Sequence, residues 1–249
     1  MPAEPALRAA ARIGPYFAWE PWDGGEGWRP FTDLLDPGVV AERVGVARRT
    51  LAGFAGVETG AIGERVAASV QFLGLASRLL SPPLAAAAVG GALPEADPGR
   101  LWWRPVAGGP LPVAYRGLAA TACSGLEAGD VAEALTRSAT VGLVAPVLEV
   151  YRTRFSLSPK VLWGNVASAL GGAITMIRTA APAHAGRTVA IVDGMLARDP
   201  LRGTATLAHG RLTRHNCCLY YRIPGGGLCG DCVLASPRVR HAGRGYGHN

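Results

Sequence analysis

Residues 61–83 read AIGERVAASVQFLGLASRLLSPP, and their spacing sets the fold class. Ile62, Val66, Val70, Leu73, Ala76 and Leu80 recur every three or four positions, which on a 3.6-residue helix makes one apolar stripe, and Pro82-Pro83 is expected to end it. Upstream, Asp36-Pro37 reads as an N-cap followed by proline at the first helical position. Val40, Val44, Leu51 and Phe54 then continue at helical spacing, with Gly53 and Gly56 as stop signals. The two segments together predict an antiparallel helix pair. Downstream the texture changes: Leu101–Val106 and Leu111–Tyr115 flank Ala107-Gly108-Gly109-Pro110, the pattern of a short β-hairpin.

Helical patterning returns after Gly129-Asp130, with a break expected at Pro146, and again after Ser158-Pro159, where Leu162, Val166, Leu170, Ala173 and Ile177 form a stripe. Residues 187–197 add a last helix. The longest uncharged stretch, Val161 to Ile177, contains Asn165, Ser168, Thr175 and three glycines, so it reads as a core helix and no transmembrane segment is expected. The fold class is therefore mainly α (α+β): a helical domain over residues 1–200, a cysteine-rich module over 201–235, and a basic flexible tail over 236–249.

The chain has 249 residues, 49% of them hydrophobic and 17% charged, enough to bury a substantial core and too apolar for disorder. Its five cysteines are too sparse for a disulfide-stapled scaffold. Four of them, Cys217, Cys218, Cys229 and Cys232, lie within 16 residues, while Cys123 stands alone as a buried small hydrophobe. The charge is equally uneven. Residues 201–249 hold seven arginines against Asp231, a net of +6 out of the chain's +7. That charge suits acidic proteins or anionic small molecules; no nucleic-acid motif accompanies it. The N-terminus has no apolar run of signal-peptide type, so a cytoplasmic location is expected, at most peripheral to the inner face of the membrane.

The cysteine segment is C-C-x10-C-x2-C. Its C-x2-C half is a chelating turn, with Gly230 permitting tight backbone, and a connector with Pro224 and three glycines folds the first pair toward the second. Adjacent side chains on extended backbone point apart, so Cys217 and Cys218 serve one centre only if the chain bends between them. Spacing alone leaves an iron–sulfur cluster, a zinc site and a redox-active disulfide open. Residues 225–230 also match Gly-x-Gly-x-x-Gly, but without a βαβ context, so a dinucleotide site is rejected.

The segment Cys-Cys-Leu-Tyr-Tyr-Arg-Ile-Pro-Gly-Gly-Gly-Leu-Cys-Gly-Asp-Cys, preceded by Arg214, resembles the C-terminal signature of the FhuF-like family of iron–sulfur ferric-siderophore reductases. Leu162-Trp163-Gly164-Asn165 is similar to that family with less specificity. Asn216, where serine is usual, and Val233, where proline is usual, depart from the pattern. The resemblance implies a 2Fe-2S cluster on Cys217, Cys218, Cys229 and Cys232. It further implies one-electron reduction of iron in a ferric siderophore of hydroxamate type, and a donor such as a ferredoxin. The alternative is a structural zinc-binding or siderophore-binding protein without reductase activity. Arg214 and Arg222 are expected to raise the cluster's potential and attract anionic partners. Arg238, Arg240 and Arg244 read as a solvated tail. His215 reads as a surface residue, His241 and His248 carry no signal, and Trp28, Trp102 and Trp103 read as packing rather than a chelate pocket.

Overall fold

The computed structural model describes residues 1–235. The expectations for the tail over 236–249, with Arg238, Arg240, His241, Arg244 and His248, lie outside the described residues. The helices are α1 (Glu4–Ala11), α2 (Pro37–Ala55), α3 (Glu64–Ala88), α4 (Ala128–Leu135), α5 (Ala145–Phe155), α6 (Pro159–Ala180) and α7 (Ala185–Leu196). The strands are short: β1 (Trp19–Pro21), β2 (Arg29–Pro30), β3 (Ala92–Pro94), β4 (Leu101–Trp103), β5 (Val113–Tyr115), β6 (Ala120–Ala122), β7 (Ala205–Ala208) and β8 (Arg211–Arg214). The mainly helical class and the terminal cysteine module are as the sequence predicts.

The helix starts follow their caps. The Asp36 carboxylate accepts from the N–H groups of Gly38 and Val39 at 2.7 and 2.9 Å, and Gly56, with φ 64°, closes α2 in the left-handed conformation. Ser158 caps α6 through Lys160 N–H. On α6 the stripe Leu162, Val166, Leu170, Ala173 and Ile177 is buried throughout.

Two proline breaks do not occur. Helix α3 runs through Pro82 and Pro83 to Ala88. Pro82 has no N–H for the carbonyl four residues back, that of Arg78, and the indole Nε1–H of Trp19 donates to that carbonyl instead, at 2.9 Å. Both prolines are buried, so packing outweighs the local preference for a break. At Pro146 the irregularity lies upstream: residues Thr136–Val144 form a π-helical stretch joining α4 to α5, and Ala145 N–H donates to Thr140 O, five residues back. This wider turn carries the helix past the proline.

The expected hairpin pairs β4 with β5 in register Leu101↔Tyr115, inside a four-stranded sheet ordered β1-β5-β4-β2. Trp103 is fully buried, Trp102 stacks on Trp22 at 4.4 Å, and Trp28 lies under Arg104, so these tryptophans are packing residues. Arg78, almost wholly buried, ties the sheet and the N-terminal segment to α3 by donating to the carbonyls of Leu111, Pro15 and Ala18, each at 2.6 Å. Burial lowers its pKa to about 10, still protonated at neutral pH. One helical run, Ala128–Phe155, is long and apolar enough by composition to cross a membrane; 56% of its most apolar window is buried in protein.

Three elements position the cysteines. Helix α3 packs along α6, and the hairpin β7–β8, which the sequence reading did not anticipate, lies against α6. Gly171 permits that approach: a Cβ there would stand 2.9 Å from Leu212 Cβ on β8.

Candidate metal centre

Strand β8 ends at Arg214, and the chain enters the cysteine segment directly. Arg214 N–H donates to Asp231 O at 3.2 Å, so the end of the hairpin is joined to the C-x2-C turn. That turn is closed by Cys232 N–H donating to Cys229 O at 3.2 Å. On the other side Leu219 adopts φ 68°, the left-handed region that a leucine enters only when its surroundings hold it there. The bend therefore comes immediately after Cys217-Cys218. It aims the Leu219 N–H at Cys217 Sγ, 3.3 Å away. Gly225 and Gly227, with φ 72° and 67°, then reverse the connector.

The result brings Cys218 Sγ to 3.5 Å from Cys229 Sγ, pairing one member of the vicinal pair with one of the C-x2-C turn. Two thiolates on one tetrahedral iron or zinc, with metal–sulfur bonds of about 2.3 Å, sit roughly 3.8 Å apart, so this spacing suits two ligands of one ion. Among the described residues no three His, Cys, Asp or Glu side chains close around a single point. Cys218 and Cys232 are buried, while Cys217 and Cys229 are partly exposed.

The thiol chemistry follows from these neighbours. Cys218 is pushed down to about 6, first by the hydrogen bond from Cys229 and then by the Tyr220 N–H and the Arg214 charge, against burial. Cys229 is held up by the same hydrogen bond, by burial and by the Cys218 and Asp231 charges. Burial raises Cys217. Lone Cys123 is also raised by burial and sits in the core after β6, as a structural thiol.

A buried polar chain seats the module on the helices. Ser69 Oγ of α3 donates to Cys218 O at 2.8 Å. Asn165 of α6 donates from Nδ2 to Ser69 O and Oγ, at 2.9 and 3.0 Å, and its Oδ1 accepts from Arg214 Nη2 at 2.6 Å. Arg214 Nε donates to Asn216 O, also at 2.6 Å. Ser69, Asn165 and Arg214 are all completely buried. Gly164 makes room for them, since a Cβ there would lie 3.1 Å from Arg214 Nη2.

Arg214 has no carboxylate partner, and its Nη1 and the Asp231 Oδ2 are buried without hydrogen-bond partners among the described residues. A buried guanidinium in this state calls for negative charge nearby. Thiolates holding an iron–sulfur centre carry such charge, so the donor set and its surroundings fit that group. Arg222 is exposed, with its guanidinium over the Tyr221 ring, and so differs in kind from Arg214. His215 is exposed and held by Gly203 O at Nδ1, 2.8 Å, and by Thr206 Oγ1 at Nε2, 2.7 Å, which makes it a surface hairpin anchor.

The family description that matches this chain is the FhuF 2Fe-2S C-terminal domain, over residues 214–234. The module matches a FhuF-type 2Fe-2S domain. The match starts at the buried Arg214 and spans all four clustered cysteines. Comparison with curated proteins returned no match. The FhuF-like family is thereby supported by the segment that the sequence reading singled out, and the family is one of iron–sulfur, siderophore-iron handling proteins. Sequence reasoning missed Ser69, which looks like any small residue on a helix stripe. It noted Asn165 as a polar residue in the uncharged run Val161–Ile177 and within the family resemblance, but gave it no role at the cysteine loop.

Proposed function

We propose that this chain reduces the Fe(III) of a ferric siderophore to Fe(II) in the cytoplasm, with Cys217, Cys218, Cys229 and Cys232 as the ligands of its 2Fe-2S cluster. The observation that carries the reading is the pairing of Cys218 with Cys229 beside Arg214, buried and without a carboxylate partner among the described residues, within the 2Fe-2S domain match. When bound, a 2Fe-2S cluster supplies a one-electron couple. The residues of the chain do the rest. Arg214 places a full positive charge where negative charge increases on reduction, which favours the reduced state. Leu219 N–H donates to a cysteine sulfur, with the same sense. The Ser69–Asn165–Arg214 chain holds the loop backbone fixed, limiting rearrangement when charge changes.

The substrate side follows from ligand hardness. Hydroxamate, catecholate and carboxylate oxygens bind Fe(III) far better than Fe(II), so adding one electron loosens the metal. The donor is a one-electron protein of ferredoxin type.

The test is spectroscopic. Purified anaerobically, the protein is expected to be reddish-brown, to bleach with dithionite, and to recover its visible absorption when mixed with a ferric trihydroxamate while Fe(II) appears in a trap. A colourless protein containing zinc overturns the cofactor assignment, and a bleached protein that stays bleached beside every ferric chelate overturns the reductase reading.

A further inference from the structure

One cleft of about 750 Å³ has a wall built by the turn between Cys229 and Cys232, at Gly230 and Asp231. Its opposite wall is α6 at Ser168, Gly171, Gly172 and Thr175, and its rim carries Arg178 of α6 and His209 and Arg211 of the β7–β8 hairpin. The size falls within the range of small-molecule sites. Gly172 faces open space, with nothing within 4 Å of a Cβ placed there, so it leaves the floor unfilled.

The rim is cationic and unspent. Among the described residues neither Arg178 nor Arg211 pairs with a carboxylate, and both are exposed. The opposing acid in the lining is Asp231, whose Oδ2 is buried away from solvent. The hydroxyls of Ser168 and Thr175 add polar groups on the helix side. We propose that this cleft is the docking site for the ferric chelate, and that it selects chelates carrying net negative charge, in which carboxylate or catecholate oxygens accompany or replace hydroxamates. The inference rests on the reductase reading for its purpose. It adds where the substrate sits, against the Gly230-Asp231 turn, and which charge it bears.

The physical case is proximity and sign. Electron transfer weakens steeply with distance, so a chelate is best placed against the loop that carries two of the proposed ligands. The Arg178 and Arg211 guanidiniums, without a carboxylate partner among the described residues, then attract and orient an anion through charge-assisted hydrogen bonds that a neutral complex does not return.

The experiment uses the full-length, cluster-loaded protein and redox-inert Ga(III) complexes, so that binding is read apart from reduction. Calorimetric titration at low salt compares an anionic Ga(III) citrate-dihydroxamate, a Ga(III) tris-catecholate, and a linear Ga(III) trihydroxamate without net negative charge. At least one anionic complex is expected to bind more tightly than the trihydroxamate, and the one that does tells carboxylate from catecholate. Arg178→Gln and Arg211→Gln are each expected to weaken it about tenfold. Gly172→Phe, which fills the floor without altering charge, is expected to abolish binding. The cleft assignment is overturned if all three variants bind within twofold of the parent, or if the trihydroxamate binds as well as both anions. Reoxidation of the dithionite-reduced protein by the Fe(III) citrate-dihydroxamate separates the two claims. Arginine-dependent binding without reoxidation removes the reductase reading and leaves the cleft. Reoxidation at equal rates in parent and Gly172→Phe removes the cleft and leaves the reductase.

Discussion

Adjacent glycines on α6 should respond to the same substitution with opposite sign. At Gly172 a Cβ meets nothing within 4 Å, and at Gly171 it stands 2.9 Å from Leu212 Cβ and 3.3 Å from its Cγ. Both lie inside a 22-residue helix, where alanine is favoured over glycine by about 1 kcal/mol. Gly172→Ala should therefore raise stability by ~0.5–1 kcal/mol. Gly171→Ala gains the same helix preference but pushes β8 off the helix by several tenths of an ångström. Overpacking of that kind costs about 1–3 kcal/mol, because Leu212 is itself buried and its strand is tied on to Arg214. The net should be a loss of up to ~2 kcal/mol, leaving the two variants about 1–3 kcal/mol apart. Urea unfolding followed by circular dichroism reads this as a midpoint that moves up for one variant and down for the other, with the slope unchanged. If both variants move the same way by the same amount, the close packing of the hairpin on α6 is wrong, and with it the route by which the cysteine loop is placed.

Other perturbations follow from the same geometry. Arg214→Met should lower the cluster's reduction potential by about 100 mV, since a unit charge acting over ~7 Å at an effective dielectric of about 20 contributes roughly 2.4 kcal/mol; redox titration of variant against parent checks this, and an unchanged potential removes Arg214 from the site's electrostatics. Asp36→Ala should cost about 1 kcal/mol through loss of the α2 cap, seen as a lower unfolding midpoint. Gly90→Ala should cost about 2 kcal/mol or more, because its Cβ would lie 2.7 Å from the Ala6 Cα, a backbone atom that cannot swing aside. A Gly90→Ala protein as stable as the parent would refute the close contact of α1 with the end of α3.

Much of this molecule was legible in the sequence because the relevant signals are local. Asp36-Pro37 and Ser158-Pro159 specify helix starts through their own side chains, and the 3.6-residue stripe on α6 specifies a buried face whatever packs on it. The α2 stripe holds only in its first half: Val40 and Val44 are buried, but Phe54 is 86% exposed, because nothing packs on the end of that helix there. The cysteine spacing marked a thiol-rich module because chelating turns need few residues and little context, and the resemblance of the whole segment narrowed it to the FhuF-like family. The two proline breaks were misread for a non-local reason. Whether a carbonyl freed by proline is tolerated depends on what else reaches it, and Trp19, far away in sequence, reaches Arg78 O.

The candidate site divides along the same line. The sequence by itself determined which four cysteines lie together along the chain and that most of the positive charge travels with them, since both depend only on neighbours along the chain. Only the tertiary structure decided that Cys218 pairs with Cys229, that Arg214 is buried while Arg222 is not, and that Ser69 and Asn165 hold the loop from two different helices. Those outcomes depend on where α3, α6 and the β7–β8 hairpin meet. Burial and long-range hydrogen bonds turn two similar arginines into a countercharge and a surface residue, and no local pattern distinguishes them.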